Sequence, residues 1–509
     1  MSSWRQKVNE LDFSGFVSSS PGEVGGTVIK ARRGRSDKAV LVQSEKGVIA
    51  NFGKPSAEYP EVFEILAFVK EAPCYVTCAI GADALYGGVD VLEDTVVAFS
   101  AGEVSLENFV YVETTDDGIS HSFLTSSPNA EVYGIDVEWT KGQQYIATIY
   151  EKVKGKWAKI DSYEYSLIRE NDNFGKSLYY EDIFFENSYV EIKVNTGFTG
   201  TQAEITTSVI ELVGGDRGEA PTASNYNTQF TTIFSDSTKY EVNILFDVNG
   251  LSPTQINTVI QTYQPYAQGI TMLPFGTAKS SLASTRETIA IDSDDLAIYT
   301  GWKKIKDTYN NSMAWVSLAG SVARKYAQVG VAYDGLSPAG IDENGIGGQI
   351  NDWTIVESEL SFTDAELKAL DLKQINPIIQ DPDYGCMIFG DKTMQVSLSD
   401  TSYVGTRRLY KFIIKTVLNQ VLRRQEFKLN DSTHRLTAKM MTDDFLAPIV
   451  TKGLLDYAEV QCDEDNNTDE VKTRRDFVLD IFVIATTNAQ ETTLNLIRLP
   501  QGTTASTIS

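Results

Sequence analysis

The segment that most constrains the fold lies near the C-terminal end, where residues 462–499 read CDEDNNTDEVKTRRDFVLDIFVIATTNAQETTLNLIRL. Apolar residues fall on both faces of the run 477–484, which predicts a β-strand. A second strand is predicted over 493–499, and only a polar tail follows it. Because no later segment can pair with this last strand as a hairpin, its backbone groups are expected to be open to another chain.

The bulk properties of the chain exclude several classes of protein. Its length of 509 residues predicts about three domains. No run of about 18 apolar residues occurs, so no membrane span is expected. The start, MSSWRQKVNELDF, lacks the apolar core of a signal peptide, so folding in the cytoplasm is expected. A net charge of −25 argues against nucleic acid as the main partner, because phosphate contacts need clustered lysine and arginine.

Residues for catalysis or metal binding are sparse. The four cysteines form no CxxC motif and are expected to be buried and reduced: Cys74, Cys78, Cys386 and Cys462. With only His121 and His434 present, most metal sites and histidine-dependent mechanisms are disfavoured. GGDRG at 214–218 lacks the features of a phosphate-binding loop, and DEDNN at 463–467 is not followed by the glycine and glutamate of a calcium loop. We therefore predict no catalytic residue, no metal and no cofactor.

One predicted helix, over 406–424, differs in charge from the rest of the chain. Between residues 401 and 430, seven basic residues stand against Glu426 alone, an excess of six positive charges. They are Arg407, Arg408, Lys411, Lys415, Arg423, Arg424 and Lys428. Two interpretations stay open. The charges form a solvated face that offsets nearby acids, or the helix docks on an acidic partner surface.

Strand and helix patterns divide the chain into five parts. Pro60 begins a predicted helix over 60–70, a capping box at Thr363 and Glu366 begins another, and a third is predicted near 442–452 although Pro448 would bend or break it. The fold class predicted is a multidomain mixture of α+β and α/β with an inserted β-rich domain, barrel or sandwich. The parts are an arm (1–22), an α/β domain (23–94 with 200–380), the insertion (95–199), a C-terminal domain (381–487) and a second arm (488–509).

Several segments in this order resemble the contractile tail sheath proteins of bacteriophages, a family that includes the sheaths of R-type pyocins and related contractile injection systems. They are the early ARRG and FGKP segments with APCYVT, then LVGGDRG, the PAGI loop, INPII, FGDKTM, the paired Arg407 and Arg408, and the CDEDNNT ending. Each motif alone is weak, whereas their shared order over roughly 450 residues is more specific. The sequence departs from the family at Arg217, which follows Asp216 where glycine is usual.

The resemblance implies a fold, a function and a set of partners. The fold would have a C-terminal domain that faces the tail tube, an outer α/β domain and an external insertion. Subunits would stack as six-membered rings around the tube and contract to drive it through the host envelope. The partners would be other copies of the chain, the tube, the baseplate and the tail terminator or neck proteins, with no nucleic acid and no membrane. Assembly would take place in the host cytoplasm, and the product would be the virion tail.

The resemblance also implies which residues make the contacts between proteins. The terminal arms would add strands to sheets of neighbouring subunits, and we hypothesise that the basic helix holds the tube through charge pairs. The residues predicted for strand addition are Thr27, Val28 and Ile29 near one end and Thr493, Leu494, Asn495, Leu496, Ile497, Arg498 and Leu499 at the other. Those predicted for tube docking are Arg407, Arg408, Lys411, Lys415, Arg423 and Arg424.

Three alternatives stay open at this stage. The chain could be the sheath of a phage-derived injection particle rather than of a phage. It could instead be an adhesin whose β-rich insertion carries the receptor contacts. A third possibility is a carboxylate-dependent hydrolase, which is disfavoured because no acid–base or nucleophile constellation is present.

Overall fold

The computed structural model describes residues 23–81, 83–92, 95–98, 119–125, 133–153, 155–184, 189–198, 205, 209–213, 215–216, 218–329, 337–340 and 347–487. The described residues fall into two compact units that divide between Thr416 and Val417. Both predicted arms, 1–22 and 488–509, lie outside the described residues. Among those that are described, no helix combines the length and the apolar composition needed to cross a bilayer.

The strands and helices are as follows. The strands are Gly25–Ile29 (β1), Val40–Val42 (β2), Cys74–Cys78 (β3), Gly88–Leu92 (β4), Val96–Ala98 (β5), Ile119–Thr125 (β6), Tyr133–Lys141 (β7), Gln144–Val153 (β8), Lys156–Ser166 (β9), Val190–Val194 (β10), Ile210–Glu211 (β11), Ile244–Phe246 (β12), Gln268–Met272 (β13), Leu296–Thr300 (β14), Lys303–Asp307 (β15), Ser312–Val316 (β16), Ile355–Ser358 (β17), Ile375–Asp381 (β18), Gly385–Ile388 (β19), Leu455–Gln461 (β20) and Asp480–Ala485 (β21). The α-helices are Glu45–Phe52 (α1), Glu61–Phe68 (α2), Tyr180–Phe184 (α3), Ala223–Phe234 (α4), Pro253–Tyr263 (α5), Leu282–Ile289 (α6), Ala319–Gln328 (α7), Asp364–Asp371 (α8), Val404–Gln420 (α9), Ser432–Thr451 (α10) and Asp469–Thr473 (α11).

The first unit is built on an eight-stranded sheet in the order β19-β18-β14-β13-β12-β1-β3-β2. The six strands from β18 to β3 run parallel, and antiparallel β19 and β2 lie at the two edges. Strands buried on both faces need continuous apolar runs, which ILF, QGITM and LAIYT supply. Helices α1, α2 and α7 contribute to the core on one face, and α4, α5, α6 and α8 to the core on the other. This is a doubly wound α/β arrangement.

The β-rich insertion consists of two four-stranded sheets that share one hydrophobic core. Their orders are β10-β6-β4-β5 and β11-β7-β8-β9, and both are antiparallel. Two strands lie outside the bounds predicted for the insertion, because β4 pairs with β6 and β11 pairs with β7. The insertion therefore extends beyond 95–199 on both sides.

The incoming and outgoing chains of the insertion bind each other where they leave the α/β sheet. The backbone of Leu85 exchanges hydrogen bonds with Asp216 at 2.8 and 2.9 Å, and the Gly88 N–H donates to the Val213 carbonyl at 3.0 Å. Beyond this neck, the Arg35 guanidinium is 2% exposed and bonds Asp37 on its own loop and Glu191 of β10 at 2.6 Å each. Arg33 donates to the Tyr133 hydroxyl at 2.9 Å. These contacts attach the insertion to the α/β sheet.

The second unit packs α10 against a two-stranded antiparallel sheet of β20 and β21. Two predictions for this part of the chain were wrong, one about its first residue and one about a helix within it. Residues 381–416 belong to the first unit, since β19 joins the large sheet at its edge. In addition, α10 begins ten residues before the predicted helix and continues through Pro448. Asp431 caps its start by accepting from the His434 N–H at 2.8 Å, and Pro448 lies close enough to the end to cost few helical bonds.

Candidate assembly surface

Four basic residues of α9 lie beside the starts of successive parallel strands. Arg407 lies 2.9 Å from Asp295, which precedes β14, and the same carboxylate lies 2.7 Å from the Lys411 Nζ. Lys411 also donates to the carbonyl of Ala267, just before β13. One turn later, Lys415 lies 2.7 Å from Glu241, which precedes β12. A spacing of four residues thus advances the basic side chains by about one strand each time.

Arg408 continues this row of ion pairs, which we call the ladder, as far as the first strand. Its guanidinium lies 3.1 Å from Glu23, which precedes β1, and donates to the Tyr326 carbonyl at 2.6 Å. It also lies over the Tyr326 ring at 4.9 Å. The side chains of Arg408, Lys411 and Lys415 are at most 10% exposed, and that of Arg407 is 22% exposed. All four are therefore engaged inside their own unit.

Burial and charge act in opposite directions on the pKa values of this ladder. Burial lowers the pKa of Lys411 to about 8, although Asp295 partly offsets that effect. Partial burial raises the pKa of Asp295, but Lys411 and Arg407 together outweigh it and leave that pKa below its usual value. Lys411 and Asp295 therefore both remain ionised at neutral pH. The prediction that Arg407, Arg408, Lys411 and Lys415 present a free docking surface is contradicted, because acids of the same chain already neutralise them.

Arg423 and Arg424 differ from these four residues. They lie in a short 3-10 turn after α9, and both are exposed. Within the described part of the chain neither makes an ion pair. The turn continues through Phe427, which is fully exposed and adopts a left-handed φ of 62°, and Lys428, which is also exposed. We call residues 423–428 of the second unit the basic turn. Its arginines are exposed, whereas the basic residues of α9 in the first unit are held in ion pairs.

The prediction that Thr27, Val28 and Ile29 add to a neighbour's sheet is wrong. These residues lie in β1, which pairs parallel with β12 on one side and with β3 on the other. Their side chains are fully buried. A strand with two partners in its own chain has no edge left for a third.

The crevice where doubly wound sheets commonly bind ligands is filled by the chain's own side chains. The strand order reverses between β1 and β12, and a ligand would be expected beyond the carboxyl ends of these strands. There the Glu61 carboxylate accepts from the Lys30 N–H at 2.5 Å, the Tyr226 hydroxyl at 2.8 Å and the Asn249 amide at 3.3 Å. Burial raises the pKa of Glu61 to about 7. Sequence reasoning missed this arrangement, because the partners of Glu61 lie up to 188 residues away from it.

A second buried carboxylate joins two helices of the first unit. Helix α7 has no side-chain cap of its own, and the residue at its N-cap position, Leu318, adopts a left-handed φ of 63°. Glu64 of α2 replaces that cap by accepting from the N–H groups of Gly320 at 2.7 Å and Ser321 at 3.3 Å. A Cβ at Gly320 would overlap the backbone oxygen of Glu64. Burial raises the pKa of Glu64 to about 7.

The two strands of the second unit form a ribbon, β20–β21, with two different faces. Tyr457 lies opposite Ile484 and Glu459 opposite Phe482, and these apolar side chains are 44–54% exposed. On the other face Val460, opposite Ile481, is 2% exposed. Among the described strands, each of the two has only one neighbour. Within the described residues the ribbon therefore has two unpaired edges and an exposed apolar face.

The predicted strand over 477–484 begins later in the structure, at Asp480, for a local reason. Asn467 is fully buried, and its side-chain amide accepts from the Val478 N–H at 2.9 Å and donates to the Val478 carbonyl at 2.7 Å. Asn430 donates to the carbonyl of Asp476 at 2.8 Å. Side chains thus occupy the backbone groups that a longer strand would have used. The terminal segment 493–499, predicted to add to a neighbour, lies outside the described residues.

Comparison with known proteins gives relatives in sequence and in fold. No family model matches the chain. The tail sheath protein of Vibrio phage KVP40 is 30% identical over 192 residues, which is 38% of this chain and 28% of that protein. The tail sheath protein of Enterobacteria phage T4 is 27% identical over 219 residues, 43% of this chain and 32% of that protein. Over these stretches the chain is similar in sequence to phage tail sheath proteins.

The likeness to sheath proteins extends further in fold than in sequence. A sheath tail protein of Listeria innocua aligns with 92% of this chain and 96% of its own length, with a TM-score of 0.53 and 10% identity. The chain therefore has a tail sheath fold, and the resemblance inferred from the ordered motifs is confirmed. In sequence, the chain spans about a third or less of the length of the two phage sheath proteins it matches.

Proposed function

We propose that this chain is a structural, non-enzymatic subunit of a contractile tail sheath. Copies would stack as six-membered rings around a tail tube and contract to drive the tube through a host envelope. Homology to phage tail sheath proteins and the sheath fold support this proposal. Assembly would take place in the host cytoplasm, and the product would be part of the virion tail.

The observation that carries the proposal is the β20–β21 ribbon. Isolated two-stranded ribbons are marginally stable in water and unpaired edges promote association. A ribbon with open edges and an exposed apolar face is suited to receive strands from other subunits. Backbone hydrogen bonds across such an edge keep neighbours connected while rigid units move past one another. Because the contact joins different surfaces of two copies, it generates a helical filament.

The other partners follow from the same arrangement. The tube, the baseplate and the tail terminator or neck proteins would contact the sheath in addition to other copies of the chain. For tube docking we now favour Arg423 and Arg424 of the basic turn, because the four basic residues of α9 before Thr416 are neutralised within their own unit. Exposed arginines whose charges are not matched locally attract an acidic partner surface.

The insertion and the terminal arms would have different roles. We place the two-sheet insertion, a barrel or sandwich, on the outside of the sheath, since the neck and the Arg33 and Arg35 contacts join it to one end of the α/β sheet. Residues 1–22 and 488–509 would supply strands to neighbouring ribbons.

The absence of enzymatic activity is supported by the filled crevice of the first unit. The carboxylates of Glu61 and Asp247 at the carboxyl ends of β1 and β12 are fully engaged by backbone and side-chain donors. A hydrolytic carboxylate would need access to substrate and water. This arrangement disfavours the hydrolase alternative.

Electron microscopy of the purified chain tests the proposal. A sheath subunit should form wide hollow tubes or helical fragments on concentration, whereas an enzyme or adhesin should remain discrete. Truncation after Ala489 is the matched variant, because it removes 493–499 and keeps every described residue. We expect it to stay folded and monomeric. Tubes formed equally well by the truncated chain would contradict the role assigned to the terminal strand.

A further inference from the structure

The β-rich insertion has a hydrophobic core of its own. That core is built mainly from the strands of its two sheets and from α3. It shares no described residue with the two cores that flank the eight-stranded sheet. Two bodies with separate cores can change their relative orientation without losing the packing inside either one. Core packing therefore does not fix how the insertion is oriented on the α/β sheet.

The neck fixes the point of attachment but not the orientation. Its two chains approach so closely that a Cβ at Gly87 would lie 2.8 Å from the Leu212 carbonyl oxygen and 3.1 Å from the Gly215 nitrogen. A connection of only two paired chains can twist, because two-stranded ribbons vary more in twist than wider sheets do. Contacts outside the neck must therefore set the orientation.

Three side chains of the loop between β1 and β2 reach polar groups of the insertion and of its neck. The Arg35 guanidinium lies 2.6 Å from the Glu191 carboxylate of β10, and Arg33 donates to the Tyr133 hydroxyl of β7 at 2.9 Å. These two partners belong to different sheets of the insertion. A third hydroxyl of the loop lies 3.2 Å from that of Tyr86 in the neck. We call the three side chains of the loop the clasp: Arg33, Arg35 and Ser36.

The clasp is also bonded on the side of the α/β sheet. The Arg35 carbonyl accepts from the Cys78 N–H at 2.9 Å, at the end of β3. The guanidinium of Arg35 donates to both carboxylate oxygens of Asp37, at 2.9 and 2.6 Å. Arg33 donates to the Ile49 carbonyl of α1 at 3.0 Å. Each arginine therefore has one partner on the sheet side and another on the insertion side.

We propose that the clasp holds the insertion in one orientation on the α/β sheet, and that the insertion turns about its neck when the clasp opens. Breaking a buried ion pair is costly when a charge is left without a partner. Here Arg35 keeps its two bonds to Asp37, and Arg33 keeps its bond to the Ile49 carbonyl. The Glu191 side chain, already 22% exposed, becomes hydrated. The clasp can therefore open and close reversibly.

The clasp gives the insertion a freedom that the eight-stranded sheet lacks. If copies of the chain assemble as proposed, opening of the clasp would let the insertion follow movements of neighbouring copies while the α/β sheet stays unchanged. That use rests on the proposed sheath function, whereas the clasp itself does not.

The distance between two spin labels tests the clasp in the full-length, monomeric protein. The labels are attached through Thr258→Cys in α5 and Lys159→Cys in β9, at exposed positions. All four native cysteines are buried and free, so they provide little background labelling. Double electron–electron resonance should give one narrow distance distribution. Arg33→Met with Glu191→Ala opens the clasp, and we expect the distribution to become at least about twofold wider.

The matched control is Arg169→Met with Glu181→Ala. It removes an ion pair inside the insertion, with side chains 77% and 55% exposed, and should leave the distribution unchanged. Equal widths in the control and in the opened protein would overturn the proposal. The single change Glu191→Ala keeps every bond on the sheet side and should give an intermediate width.

Hydrogen exchange separates turning of the insertion from unfolding. The amides of β8, in the centre of the insertion, should stay as protected in the opened protein as in the unmodified one. Loss of this protection together with a wider distribution would mean that the insertion unfolds and does not turn, which contradicts the proposal. These measurements do not depend on assembly. If the chain forms no tubes, the proposed function fails while the distances still decide the clasp.

Discussion

The β-sheets of the two units differ in how completely their strands are paired and their faces are covered. In the first unit the six parallel strands have a partner on each side, and helices cover both faces. In the second unit the described ribbon has one partner per strand, and one face exposes Tyr457, Phe482 and Ile484. Under the proposed function, the closed sheet would act as a rigid body and the ribbon would connect such bodies. A protein proposed to work by changing its contacts with other copies needs both.

The basic residues show the same contrast over a short distance. Arg407, Lys411 and Lys415 are matched by acids at the start of β14 and β12, whereas Arg423 and Arg424 are exposed. The net charge of the segment therefore does not reveal which residues face a partner. Substitutions that distinguish internal from external contacts can test this division.

The largest effect is expected at the closest approach within the first unit. Gly320→Ala would force apart α2 and α7, because its Cβ overlaps the Glu64 backbone oxygen. We expect a loss of about 3–5 kcal/mol in the free energy of unfolding, or failure to fold. Chemical denaturation followed by circular dichroism measures it. Gly47→Ala in α1 is the control and should change stability by less than about 1 kcal/mol. A stable Gly320→Ala protein would mean that this contact is not tight.

Removal of a buried charge in the ladder should have the next largest effect. Lys411→Met leaves the carboxylate of Asp295 with only Arg407 and should cost about 3 kcal/mol. Arg423→Met removes an exposed charge and should change stability by less than about 0.5 kcal/mol. Arg423→Met should reduce co-assembly with tube protein more than Lys411→Met does. A Lys411→Met protein that is fully stable but fails to bind tube would restore the original docking hypothesis.

The pH dependence of stability tests the buried carboxylate beneath α7. Because burial raises the folded-state pKa of Glu64 to about 7, its contribution to stability is present below about pH 4.5 and is lost as pH rises through 7. The full difference is about 3 kcal/mol. Glu64→Gln should therefore flatten the fall in unfolding free energy between pH 5 and 7. Denaturant titrations at pH 5, 6 and 7 compare the two proteins. Parallel curves would show that Glu64 is already ionised in the folded protein.

The smallest effect on stability is expected on the open face of the ribbon. Phe482→Ser exchanges a half-exposed side chain and should change unfolding free energy by about 1 kcal/mol or less while reducing tube formation. Val460→Ser, on the covered face of the same ribbon, should cost about 2–3 kcal/mol. Sedimentation and electron microscopy measure assembly. Normal tubes from Phe482→Ser would show that this face takes no part in subunit contacts.

Local patterns predicted several elements correctly. The capping box at Thr363 and Glu366 starts α8, and the alternation that separates Ile481 from Phe482 holds in β21. Cys74 and Cys78 lie buried in one strand as free thiols. These features depend on residues a few positions apart, which a single sequence displays directly. The order of weak motifs indicated the sheath resemblance for a different reason, because order over a long chain is hard to reproduce by chance.

Features that depend on distant residues were not predicted. The acids that neutralise α9 lie more than 100 residues from it, so the basic excess was compatible with a docking surface. The central position of β1 follows from pairing with β12, about 219 residues away. Helix α1 was missed because EKGVIANF contains glycine and asparagine, although Ser44 caps it. Such contacts are decided by the topology of the sheet and not by local propensity.

Because of the neck, the insertion could be removed or exchanged without a change in the α/β sheet. Leu85 and Asp216 are bonded to each other before the two chains separate, so the α/β sheet receives and releases the chain at nearly one point. A short turn could join Gly88 to Val213 with little change in the loop-closure entropy of the remaining fold. Such a chain would keep the bond between Arg35 and Asp37 and would lose the Arg35 bond to Glu191 and the Arg33 bond to Tyr133. An insertion joined to the sheet in this way can be exchanged for another while the α/β sheet stays unchanged.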